Sequence, residues 1–358
     1  MLTRRHFLFT GAALAAGGCR AKKSTLRVFV YAGGHEKTMR EVFVPRFEAA
    51  TGVEVELHAG WWDGIAKLKA APADDPPFDL IISDATQGYP AVKEGLFAQL
   101  DLDNIPNHER LTPSALDNHV FRDRYGITFP DSVMTLAYDK RTVGGPPTRW
   151  ADLLRPDLAG KLGLYNAFYM SLYTFACVRA DAEGKAGTAH DLVRKDLSGM
   201  LRYAKEHRDR VKVWWPNSTD MILALANRDC VAGNMHSPEY LAALREKDDL
   251  GAAVPDADRA FVQVFWAVPA GSANRALAER AIDMIFSDEC QSGFSRRGSA
   301  TAVPSVAATM AAEDPFWKRL YPHTDEQFRS LRYYPYETYA EHWDEIADAW
   351  DRQVLRKG

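Results

Sequence analysis

Apolar and polar positions recur along this chain with two different periods. Leu26-Arg27-Val28-Phe29-Val30-Tyr31 is rich in β-branched and aromatic residues and predicts a strand, and Gly33-Gly34 predicts a turn. His35 to Thr51 follows as a helix, with Met39, Val42, Phe43 and Phe47 at helical spacing facing inward. Val53-Glu54-Val55-Glu56-Leu57 alternates as a second strand, and Phe78-Asp79-Leu80-Ile81-Ile82 reads as a buried third. Strand, helix, strand with crossovers of this length means a parallel, right-handed α/β unit. Ligands of such sheets sit beyond the carboxyl ends of the strands, which directs attention to Tyr31 to His35 and to Ser83 to Gln87.

Tyr125 to Pro130, followed by Met134 to Tyr138, predicts extended chain crossing from one lobe to another. Trp150 to Leu154 and Pro156 to Leu164 open a second α/β unit, and Asn217 to Asn227 followed by Cys230 to Asn234 reads as helix then buried strand. Val262 to Pro269 is the expected return crossing, Asn274 to Asp288 an amphipathic helix, and Ala302-Val303-Pro304 a third crossover. Two lobes joined by several strands make a hinge. Lobe 1 is expected over 26–130 and 264–300, and lobe 2 over 131–263 and 301–358. The chain carries no internal repeat and no low-complexity segment.

Residues 1–19 follow neither period. Arg4 and Arg5 give a charged head, Phe7 to Ala16 an apolar span, and Gly17-Gly18-Cys19 a small-residue cleavage point. About ten apolar residues fall well short of the ~20 needed to cross a bilayer, so the segment reads as an export signal. Thr3-Arg4-Arg5-His6-Phe7-Leu8 resembles the twin-arginine export motif. The small residues before Cys19 resemble a lipoprotein processing site, with Ala16 where Leu is usual. Cys19 is then the lipidated first residue, residues 20–25 are a short polar tether, and the protein is expected in the periplasm or cell envelope, anchored by lipid.

Composition narrows the function. An apolar content of 46% and a charged content of 26% are those of a globular protein, and about 340 residues after the leader favour two lobes. A net charge of −4 leaves no electrostatic footprint for nucleic acid. Cys177, Cys230 and Cys290 are odd in number and widely spaced, which excludes a disulfide scaffold or zinc ribbon; they read as buried free thiols, with a single bridge as the alternative. The chain lacks Gly-x-Ser-x-Gly, His-Glu-x-x-His and a P-loop, so it is not read as an enzyme.

Several segments together resemble the bacterial extracellular solute-binding proteins of ABC importers, in the branch containing ferric-iron and polyamine binders. They are Val30-Tyr31-Ala32-Gly33-Gly34-His35-Glu36, Phe47 to Val53, Phe78 to Asp84, Trp150-Ala151-Asp152-Leu153, Leu158-Ala159-Gly160-Lys161, Ala224 to Ala232 and Phe265-Trp266-Ala267-Val268-Pro269. The resemblance implies a type II periplasmic-binding fold of two α/β lobes closing over one ligand. It also implies a monomer that needs no cofactor and delivers a small solute to a permease. A sensor lobe passing occupancy to a receptor would share this fold.

For the cargo, the resemblance points first to ferric iron or another metal. His35 falls where ferric binders place a histidine ligand, and Asp84 where they place a carboxylate. Such sites complete the shell with a tyrosine pair, whose positions here are His236 and Ser237. Tyr165, Tyr169 and Tyr173, at i, i+4 and i+8, would supply phenolates from one helix face, so the expected metal set is His35, Asp84, Tyr169 and His236. Two imidazoles and a carboxylate would also suit Zn²⁺ or Fe²⁺. The alternative cargo is a polyamine such as putrescine or spermidine, another small organic cation, or a phosphonate. Polyamine binders surround ammonium groups with acids and aromatic faces. Here Val264 stands where they carry an acid, and Tyr165-Asn166-Ala167-Phe168-Tyr169 has no carboxylate. Trp61-Trp62 and Trp214-Trp215 could line a cleft for an organic cation. Asn217, Ser218 and Thr219 begin a helix whose N-terminus suits an anion, and Asn234 lies beside His236 in the expected site.

Overall fold

The computed structural model describes residues 25–61 and 63–356; Cys19, the rest of the leader and Trp62 lie outside the described residues. Nine strands are described: β1 (Thr25–Tyr31), β2 (Glu54–Gly60), β3 (Leu80–Asp84), β4 (Ile127–Asp139), β5 (Leu162–Tyr165), β6 (Val211–Trp215), β7 (Ala232–His236), β8 (Leu250–Ala253) and β9 (Phe261–Ala267). Their order is β2-β1-β3-β9-β4-β7-β5-β6, with β8 on the flank of β4. The expected α/β halves joined by crossing strands are present. β1 lies parallel between β2 and β3, and β5 lies parallel between β6 and β7, each set built from strand–helix–strand units.

Between these sets the pairing is antiparallel. The first part of β4 runs beside β9, from Ile127 opposite Trp266 to Pro130 opposite Gln263. A register shift follows between Pro130 and Val133, and from Met134 onward the same strand pairs with β7 and β8. One strand therefore leaves the first sheet and enters the second without ending. The extra residues at the shift are Asp131 and Ser132, the geometry of a β-bulge.

Packing follows the apolar runs seen in the sequence. Phe29, Phe43, Phe47 and Phe78 are fully buried around β1, and Trp150, Trp215 and Tyr173 around β5 and the Phe168–Ala182 helix. The helix expected over His35 to Thr51 is interrupted by a π-turn at Met39–Phe43. Tyr165, expected on one helical face with Tyr169 and Tyr173, instead ends β5, because the helix begins only at Phe168 after Asn166 and Ala167. Cys177, Cys230 and Cys290 are buried free thiols.

The tightest backbone approach lies between β5 and β7, where Gly163 pairs with Gly233. A Cβ at Gly233 would overlap the carbonyl oxygen of Gly163, and both belong to strands that end in the cleft. Gly233→Ala is expected to destabilise the protein by about 2–4 kcal/mol, since backbone rather than a flexible side chain must give way. Urea denaturation of the parent and the variant measures this loss.

Candidate functional site

The strand ends converge on a crevice beside the β4–β9 crossing. On one side Tyr31 closes β1, and Gly33, at φ 85°, turns the chain so that His35 stands in the first turn of the next helix. The Tyr31 ring lies 5.7 Å from the His35 ring and stacks on Trp61 at 6.0 Å, while His35 is 6.0 Å from Trp266 on β9. Trp61, with 53% of its surface exposed, forms the rim. Nδ1 of His35 is buried and has no hydrogen-bond partner, and burial lowers the imidazole to about 4. His35 is therefore neutral at pH 7 and does not cap its helix.

Asp84 ends β3 and caps the Ala85–Lys93 helix, its Oδ1 accepting from the Thr86 N–H at 2.7 Å, the Gln87 N–H at 3.3 Å and the Thr86 hydroxyl. Burial pushes its carboxyl up, against the pull of those hydrogen bonds. Asp131, in the bulge, is pushed up to about 7, mainly by burial and then by the like charge of Glu239. Burial first, and then both carboxylates, hold the Tyr31 phenol well above its usual range. Tyr31 thus stands in the field of Asp84 and Asp131 together.

The other side is aromatic. Tyr165 at the end of β5 lies 4.4 Å from Trp215 at the end of β6 and 5.5 Å from His236 at the end of β7. Tyr169 reaches His236 Nε2 through its hydroxyl at 3.4 Å, and the Ser132 hydroxyl meets His236 Nδ1 at 3.3 Å. Burial lowers His236 to about 4 and drives the Tyr169 phenol well above its usual range. Tyr169 lies 5.6 Å from Tyr334, which lies 5.9 Å from Tyr336.

Of the residues expected at a site, His35, Asp84, Tyr165, Tyr169 and His236 border this crevice. Asn234 plays another part: its Oδ1 accepts from the Tyr165 N–H at 2.9 Å, and its Nδ2 donates to Ser171 and Thr174 at 3.1 and 2.8 Å. Its side chain is spent holding Tyr165 in place. Asn217 is exposed and bonded both ways to Asp220, and Ser218 opens the same helix. Asp220 puts a negative charge in the turn where an anion would bind, which opposes an anion at this helix N-terminus.

The metal reading gains no support. Among the described residues, no three of His, Cys, Asp and Glu are grouped so as to hold a metal ion. A ferric ion wants anionic oxygen, whereas Tyr169 is a phenol whose ionisation burial opposes and Asp84 is engaged as a helix cap. Sequence reasoning missed Asp131, Gln263 and Tyr334. The break Pro130-Asp131-Ser132 inside an apolar crossing strand was the available signal for Asp131.

A sequence profile described as bacterial extracellular solute-binding protein matches residues 43–321. The chain belongs to that family. The gamma-aminobutyric acid-binding protein of Pseudomonas aeruginosa is 23% identical over 303 residues, 81% of this chain and 82% of the relative. Among solved structures, the Atu4243-GABA receptor superposes with a TM-score of 0.76 at 18% identity, over 94% of this chain and 99% of the other. The spermidine/putrescine substrate-binding protein PotD of Streptococcus pneumoniae gives 0.72 at 16% identity, over 93% and 99%. These likenesses show the fold: this solute-binding protein has the type II periplasmic-binding architecture of ABC-transporter substrate-binding proteins. No helix among its described residues is long and apolar enough to cross a membrane.

The two imidazoles make the apo protein acid-sensitive. Each has a folded value of about 4 against an ordinary value of 6.5, so the unfolded chain takes up protons first as pH falls. Their contribution to stability is complete above 6.5 and is lost between 6.5 and 4. Denaturation midpoints across that window should fall less steeply in a His35→Gln, His236→Gln variant than in the parent.

Proposed function

We propose that this chain is the substrate-binding component of an ABC importer and that it captures a small organic cation, a polyamine or other amine, in the crevice. The lobes that close over it are 26–130 with 264–300, and 131–263 with 301–358. One observation carries the reading: Asp84 and Asp131 both bear on Tyr31, among the rings of His35 and Trp61. A desolvated ammonium needs a charge partner or an aromatic face, each worth about 0.5–2 kcal/mol or more. The crevice supplies both. The polyamine-binding protein among its structural neighbours supports the same class of cargo.

Capture follows from differential affinity. Cargo that touches Tyr31, His35 and Asp84 from one side and Tyr165, Tyr169 and His236 from the other favours the closed state, and the permease reads that state. A lipid on Cys19, attached after export by the twin-arginine route, would hold the binder beside its permease and raise its effective concentration there.

Isothermal titration with 1,4-diaminobutane and butylamine tests the assignment, with ferric citrate as the rival. Heat and a thermal shift with an amine are expected, and a response to iron alone would overturn the reading. Asp131→Asn separates site from scaffold. The native carboxyl titrates near 7 against an ordinary value of 3.8, so the native state holds a proton that the unfolded chain releases, and stability is lost as pH rises through 7. At pH 8 the Asn variant should unfold later than the parent yet bind amines about ten-fold more weakly. At pH 4 the two stabilities should converge.

A further inference from the structure

The chain after Ser330 covers an edge that β3 leaves open. β3 runs beside β9 only as far as Asp84 opposite Val264. Backbone N–H groups of alternate residues in a strand point to the same side, so Phe265, Gln263 and Phe261 all face this edge. Beyond β3 the C-terminal segment stands in for a strand. The Gln263 N–H donates to the Tyr336 hydroxyl at 3.3 Å, the Phe261 N–H donates to the Arg332 carbonyl at 2.9 Å, and the Phe261 carbonyl accepts from the Tyr334 N–H at 3.3 Å. Phe261 lies opposite Val133, where β4 leaves β9 for the second sheet. The cover therefore sits on the crossing itself.

The same segment touches both halves. Its rings form an edge-to-face chain: Tyr169 of the Phe168–Ala182 helix lies 5.6 Å from Tyr334, Tyr334 lies 5.9 Å from Tyr336, and Tyr336 lies 6.3 Å from Tyr89 of the Ala85–Lys93 helix. The Tyr89 hydroxyl donates to Gln263 Oε1 at 2.7 Å, so phenols from opposite halves meet on one residue of β9. The Tyr333 hydroxyl donates to the Ser114 carbonyl at 3.4 Å, next to Ala115, whose carbonyl accepts from the Thr128 hydroxyl of β4 at 2.7 Å. Anchorage in the second half is firmer. The Tyr339 hydroxyl donates to the Tyr169 carbonyl at 2.9 Å, and Trp350 Nε1 donates to the Asn166 carbonyl at 2.7 Å. When two halves turn about crossing strands, contacts inside each half persist and contacts that span them must change. Tyr333 on Ser114 and Tyr336 on Tyr89 are contacts of the spanning kind.

We propose that Tyr333 and Tyr336 are positioning residues for cargo capture: acting through the crossing, they latch the second half onto the first and hold the crevice in the arrangement described here. Asp84 and Tyr169 face each other across the crevice in this arrangement, closely enough to interact. The latch acts before cargo arrives. It raises the fraction of protein competent to bind, and apparent affinity rises with that fraction. The proposal goes beyond the cargo assigned above and does not depend on its being an amine.

Small-angle X-ray scattering of the cargo-free protein tests it. A Tyr333→Phe, Tyr336→Phe variant should have a larger radius of gyration than the parent. Tyr240→Phe is the control, because the Tyr240 hydroxyl is equally buried but donates to the Gly251 carbonyl at 2.8 Å inside the second half. That variant should lose stability in urea and keep the parent's radius. An unchanged or smaller radius in the double variant, or equal swelling in Tyr240→Phe, would overturn the latch. An amine that binds the parent should bind the double variant about five-fold more weakly, and unchanged affinity would count against the latch in the same way. Failure of every amine to bind would bear on the cargo alone, since the scattering needs none. Should the double variant not fold, the two single variants are judged by the same radius.

Discussion

The rest of the structure depends on the way β4 crosses from one sheet to the other. A strand buried on both faces must keep its backbone groups paired throughout, so β4 cannot simply fray between lobes. It pairs with β9 as far as Val133 opposite Phe261, then with β7 and β8 from Met134 and Leu136. The handover is made at a bulge. Pro130 lacks an N–H, and the register shift after it frees Asp131 and Ser132 from strict inward and outward alternation. A carboxyl and a hydroxyl thereby reach the crevice from the one element both halves share. Ser132 holds His236 of the second half, while Asp131 acts on Tyr31 of the first.

That placement is costly to the fold. Burying Asp131 and placing it in the field of Glu239 both oppose its ionisation. The same holds in weaker form for Asp84, whose cap hydrogen bonds satisfy part of the carboxylate. On the amine reading proposed above, a positive ligand would offset that destabilisation, and the buried charge would become binding free energy. Differential stabilisation of the closed state would then follow, because the ligand's charge is felt only when both sides enclose it.

The strands, the crossings and the order of elements were legible because sheets buried on both faces leave continuous apolar runs, as in Leu80-Ile81-Ile82 and Phe265-Trp266-Ala267. His35 and Asp84 were legible from the rule that chemistry gathers at strand ends. What could not be read was their protonation state. Burial, which depends on how the two halves meet, raises the Tyr169 phenol and lowers the His236 imidazole, and neither shift shows in the sequence. Asp131 was overlooked because the acid was sought at Val264, the residue paired with Asp84, whereas Asp131 lies on the neighbouring strand β4. Asn234 looked like a ligand because it lies beside His236 in the sequence, yet its three hydrogen bonds serve Tyr165, Ser171 and Thr174.

The neutral imidazoles complete the argument for an organic cation. A protonated histidine would repel an ammonium, and a metal-bound one would have no lone pair left to offer. At a folded value near 4, His35 keeps a free lone pair at physiological pH, and its buried Nδ1 is without a partner. Trp266 and Tyr31 hold the ring in place by contact alone, at 6.0 and 5.7 Å, so nothing in its packing dictates which atom it must bond. An N–H of the cargo can therefore be accepted there without any proton being displaced. Burial that keeps these imidazoles neutral is thus the condition under which they can accept from an amine.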